Sequence, residues 1–254
     1  MNIYYDTNLI DDIREHPDNN NLLINSKFKN WAGTIINNLR FRTGCVDDHY
    51  ESPENRELLT SCQAHAEQHK TPMQADSVIL LSHPFYLHLS HMVYLYKESQ
   101  YQDADQYKRK LLRFLKADRD KNKVAIVAIE TLHHYAAATS ILLEKGYIDQ
   151  VIFSWIDSID PLHESDLGQF SGKNVYICGM YKQICVNNLI MSLRGIASPK
   201  KVSQIIDLIL SSPKLFTERL MSNLGFSETS NNSNDNTISL EQLITKLGLS
   251  PLPA

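Results

Sequence analysis

From Val78 onward the chain alternates short, wholly apolar runs with longer stretches of mixed polarity. SVILLS, KVAIVAIE, DQVIFSW and NVYICG are too short for core helices and apolar throughout, the pattern of strands buried on both faces. Between them DADQYKRKLLRFLKADRD predicts a helix with charges on its outer side. Helices are also predicted over roughly 136–145, over HESDLGQF and over CVNNLIMSLRG. KVSQIIDLIL is compatible with a fifth strand or a helix, because its apolar spacing satisfies both periods.

Strands alternating with helices predict an α/β fold, a three-layer sandwich with a mostly parallel central sheet. In such sheets function gathers beyond the carboxyl ends of the strands. Here those ends are Ser82–His83, Glu130–Thr131, Ser154–Trp155 and Gly179–Cys185.

The flanks read differently. Residues 1–75 are assigned to an N-terminal extension, partly helical, and residues 76–254 to the α/β domain. In the extension, Phe28, Trp31, Ile35, Ile36 and Leu39 recur at helical spacing among polar stretches. Towards the other end, a helix is predicted near 214–224, then a polar low-complexity linker, SETSNNSNDN, and a last helix, SLEQLITKLG.

Composition narrows the function classes. The 254 residues carry a net charge of −4, with 43% hydrophobic and 21% charged residues. Mild acidity argues against nucleic acid or an anionic membrane as the main partner. No apolar run approaches the roughly 20 residues of a membrane span. MNIYYDTNLIDDIREH has acidic residues where a secretory signal would be basic. Cys45, Cys62, Cys178 and Cys185 show no framework spacing and no CxxC. A reduced, cytoplasmic location is the expectation.

Within NVYICGMYKQICVNNLI, Gly179 lets the chain turn after the fourth strand, and Cys185 then opens a helix. Amide groups at a helix start favour a thiolate and can hold an oxyanion, which makes Cys185 a candidate nucleophile. The plainer alternative is a small buried residue, as free cysteines often are. Cys178, inside VYIC, is a packing residue.

The order of elements, and GMYKQICV in particular, resembles the isochorismatase-like cysteine hydrolase superfamily, whose nucleophile segment has the form G-x-x-T-x-x-C-V. Gly179, Cys185 and Val186 match that spacing, and the similarity runs from about residue 77 to the end of the chain. DQVIFSW resembles the family's third strand, D-x-V-I-x-K, and KVSQIID the strand after the cysteine helix. The resemblance implies a cysteine hydrolase acting on a small-molecule amide or ester. It further implies an Asp base ending the first strand and a Lys ending the third. Carried over position by position, VILLSHPFYL puts Ser82 where the Asp is expected, and Ser154 stands at the Lys position. His83 falls on a histidine found in one branch of the family and could replace the base. In a second alignment MNIYYDTNLI supplies the first strand and Asp6 the base, at the cost of a much longer gap before Ser154. MNIYYDTNLI also resembles the opening of PIN-type nucleases, although no matching later acidic cluster follows.

Two functions are therefore expected to compete: a cysteine hydrolase working through Cys185, and a degenerate relative kept for binding or scaffolding. Family members commonly form homo-oligomers, so the resemblance implies a homodimer. Residues 1–75 are the candidate protein-binding segment. His133 and His134 lie where some relatives hold a metal, but the D-x-H-x-x-x-x-H pattern is absent. HAEQH places His65 and His69 four residues apart, a spacing able to bind zinc on a helix. No third ligand is evident in the sequence and a solvated helix face is expected, so neither a metal nor a cofactor is assigned.

Overall fold

The computed structural model describes residues 53–84, 98–132, 135–154, 161–180, 182–211 and 236–250. The helical spacing from Phe28 to Leu39, the helix predicted near 214–224 and most of the polar linker lie outside the described residues, as do Asp6, Cys45, His133 and His134.

The chain runs α1 (Pro53–His69), β1 (Ser77–Ser82), α2 (Glu98–Lys116), β2 (Val124–Thr131). A π-helical turn, Tyr135–Thr139, leads into α3 (Ser140–Glu144) and then β3 (Gln150–Ser154). A 3-10 helix, Glu164–Phe170, precedes β4 (Asn174–Met180), and a second π-helical turn, Lys182–Val186, opens α4 (Asn187–Ile196). β5 (Lys201–Leu210), β6 (Asn236–Ile238) and α5 (Leu240–Leu247) follow.

The six strands form one sheet in the order β3-β2-β1-β4-β5-β6, and every pairing is parallel. The apolar runs become strands because both faces are covered: all six residues of β1 and all eight of β2 are buried. Alternation divides their side chains between two cores. Ile79, Leu81, Ile126 and Ala128 pack with residues of α1, α2, α3 and α5. Val78, Leu80, Val127 and Ile129 pack with the 3-10 helix and α4. This is a three-layer α/β sandwich, as the sequence pattern predicts.

α1 belongs to the first of these cores, since Cys62 and Ala66 are buried in it. β5 resolves as a strand. Its pairing with β4 jumps from Ile177–Gln204 to Gly179–Ile209, an irregularity that gives β5 extra residues. Asp207 lies in that excess and accepts a hydrogen bond from the Leu240 amide at 2.7 Å, at the start of α5. Ser239 and Gln242 complete a reciprocal capping box there.

The strand order reverses direction between β1 and β4. In doubly wound sheets ligands bind in the crevice outside the carboxyl ends at such a switch point.

Candidate functional site

β1 and β4 run side by side to their ends, with Ser82 in register with Gly179. Gly179 has φ +117°, and a Cβ built on it would lie 2.1 Å from the Ser82 carbonyl oxygen. No other residue fits there, because the clash is with backbone and cannot be relieved by a rotamer. The Ser82 hydroxyl donates to the Met180 carbonyl at 3.0 Å, tying the two strand ends together. Ser82 is wholly buried and engaged in this tie.

His83 follows at φ +42°, the left-handed region that a non-glycine residue occupies at a cost. Three contacts hold it there. Its amide donates to the Ile129 carbonyl at 3.1 Å. The next residue's carbonyl, Pro84, accepts from the Tyr107 hydroxyl at 2.9 Å. Nδ1 donates to Glu130 Oε1 at 3.1 Å.

Glu130 ends the apolar run of β2 and is completely buried. Besides His83, its carboxylate accepts from the Thr131 amide at 3.0 Å and from Thr139 Oγ1 at 3.2 Å. A buried carboxylate survives when donors surround it, and three do so here. Burial pushes the Tyr107 phenol well above its usual value, with the charge of Glu130 acting in the same direction. Tyr107 therefore remains a hydroxyl donor at any working pH. Sequence reasoning marked Glu130 only as a strand end. The signal was there: one acid closing a strand expected to be buried on both faces.

Cys185 sits in the π-helical turn that opens α4, partly exposed and packed against the core beneath α4. The segment that contacts Glu130 through Thr139 also begins with a π-helical turn. Such turns are rare and recur at functional sites. Cys178 is wholly buried, and desolvation pushes its thiol well above the ordinary range. Cys62 is buried as well, its thiol pushed up to about 12.

Ser82 and His83 stand at the end of β1, the Cys185 segment follows the adjacent β4, and Glu130, near the end of β2, reaches His83. Glu130 shares a face with Ala128, above α1–α3, whereas Cys185 lies on the α4 side. His83 follows the end of β1, on the carboxyl-end crest of the sheet. Ser154, also completely buried, ends β3 and pairs with Thr131, so β2 separates it from Ser82. That is two strand spacings, roughly 10 Å. Neither serine position carries a charge. A separate groove of about 530 Å³ borders β3 and includes Lys70, Gln150, His163 and Asp166, away from this crest.

Among the described residues, no helix is long and apolar enough to cross a membrane. Set against known protein families, curated proteins and solved structures, the chain matches none of them.

Proposed function

We propose that the chain is a divergent isochorismatase-like cysteine hydrolase in which Cys185 is the nucleophile, His83 the base and Glu130 the group that orients it. The supporting observation is the buried His83–Glu130 pair, 3.1 Å apart, at the switch point whose other side carries Cys185. The order of the residues GMYKQICV supports the same assignment.

The chemistry is acyl transfer. With Nδ1 committed to Glu130, proton exchange falls to Nε2 of His83. The imidazole takes the thiol proton, and the thiolate attacks the carbonyl carbon of a small amide or ester. Backbone amides at the start of the Cys185 helix stabilise the oxyanion. The imidazolium returns its proton to the leaving amine or alcohol as the C–N or C–O bond breaks. Water, deprotonated by the same imidazole, attacks the thioester and releases the acid and the free thiol.

A second function is favoured by one observation. Ser82 and Ser154 are wholly buried at the strand ends where the resemblance implies Asp and Lys. A chain that has lost both charges fits a degenerate binding protein, dimeric by the same resemblance, with the segment before α1 as the candidate for a protein partner.

Intact-mass analysis after incubation with activated esters and primary amides separates the two. The hydrolase assignment requires an acyl adduct on Cys185 that is lost in Cys185→Ala and decays with release of acid. Absence of any adduct across ester and amide classes would leave the binding function.

A further inference from the structure

We propose that His65, His69 and Glu144 form a binding site for a zinc-class divalent cation that fastens α1 to α3. His65 and His69 sit one helical turn apart near the end of α1, and Glu144 closes α3. One ligand atom from each of the three lies within 4.8 Å of the others. The third donor, missing from the sequence spacing, is supplied by tertiary packing of α1 on α3. The expected solvated helix face is corrected at His65, which is only 9% exposed.

The donor set is two imidazoles and a carboxylate, which suits zinc and its first-row neighbours rather than calcium or magnesium. Zinc sites of His₂Glu composition leave a fourth position for water. His65 Nε2 lies 2.8 Å from Glu144 Oε1, close to the separation two adjacent ligands keep around one ion. Small side-chain rotations bring the set onto one ion, since zinc takes nitrogen and oxygen ligands at roughly 2.0–2.2 Å.

The second observation is Tyr135. Its hydroxyl lies 2.5 Å from His65 Nδ1, and its ring is wholly buried, edge-on against Phe153 at 5.0 Å between centroids. Metal-bound histidines have their other nitrogen held by such a partner, which fixes the tautomer. A hydroxyl can donate or accept. Without metal, Nε2–H donates to Glu144 and Nδ1 accepts from Tyr135. With metal on Nε2, Nδ1–H donates to the Tyr135 oxygen instead. The buried hydroxyl accommodates both states, and the imidazole stays neutral because its proton moves from Nε2 to Nδ1 as the ion binds.

This site is distinct from the crest. α1 ends before the loop that feeds the amino end of β1, and Glu144 lies beyond the helical stretch that starts near Glu130. Its role is structural, holding α1 against the domain.

The test is zinc titration of the metal-free full chain by calorimetry, with thermal melting in parallel. One ion should bind per chain at micromolar affinity or tighter, with a rise in melting temperature. Glu144→Gln and His69→Ala should keep the native circular dichroism and each weaken binding at least tenfold. Tyr135→Phe, which touches no ion, should weaken it by about ten- to a hundredfold. Cobalt(II) should give the strong visible bands of a four-coordinate site. No binding to the native chain, or binding that Glu144→Gln leaves unchanged, overturns the proposal.

Discussion

Gly179 meets the backbone of Ser82 so closely that a Cβ there would lie 2.1 Å from the Ser82 oxygen and 2.7 Å from its nitrogen. This contact sets the spacing of β1 and β4 at the point where the sheet reverses order. Gly179→Ala combines that clash with φ +117°. A loss of about 3 kcal/mol or more in unfolding free energy is expected by urea denaturation. Gly172→Ala, at φ +73° but with nothing within 4 Å of its Cβ, is the control and should cost about 1–2 kcal/mol.

The opposite end of the sheet is held by charge. Asp149 is 2% exposed, with Arg119 Nη2 at 2.7 Å and the Ile126 amide donating to the same oxygen at 2.8 Å. Asp149→Ala would leave the guanidinium buried against nothing and the Ile126 amide unsatisfied. It should lower stability by roughly 3–5 kcal/mol in chemical denaturation. A value near zero would mean that the ion pair is a surface ornament.

Alkaline pH should destabilise the fold. Burial pushes the Cys62 thiol up to about 12, and raises the Cys178 thiol and the Tyr107 and Tyr135 phenols further. In the unfolded chain thiols release protons near 8.5 and phenols near 10. The folded state keeps these protons, so its advantage is complete below about pH 8 and is lost as pH rises. Each buried thiol removes up to about 1.4 kcal/mol per pH unit once the unfolded group ionises. Cys62→Ala should flatten the stability profile between pH 9 and 11, measured by denaturant midpoints at constant ionic strength.

The fold was legible because the central strands are buried on both faces, and an apolar run with a polar break needs no periodicity to be read. β5 was ambiguous for a physical reason. Its irregular pairing buries Ile205 and Leu208 and exposes Ile206, a spacing of three that imitates a helix. α1 is legible only at HAEQH because few of its residues are apolar, although Pro53 and the acids Glu54 and Glu57 mark a helix start. β6 has only three residues and begins inside a polar stretch. At the site, Gly179 and Cys185 were visible as a motif, whereas the partnership of His83 with Glu130 was not. It joins residues 47 apart in sequence through neighbouring strands. The Glu144 donor to the histidine pair escaped for the same reason.

The crest predicts a division of labour between its groups. Glu130→Gln keeps the shape and the Thr131 contact but removes the charge facing His83. If His83 is the base, ester hydrolysis should fall by about a hundredfold or more. The KM should change little, because Glu130 acts through the imidazole. Equal loss in KM and kcat would mark a structural role only.

The most direct test is the pH dependence of alkylation at Cys185, followed by peptide mass spectrometry in the native chain and in Glu130→Gln. Cys62 and Cys178, buried and pushed to high pKa, are internal controls that should stay unlabelled near neutral pH. Cys185 should titrate well below the roughly 8.5 of an ordinary thiol, and Glu130→Gln should move it upward. A Cys185 that titrates as an ordinary thiol, or is indifferent to Glu130, would contradict a nucleophile activated at this switch point.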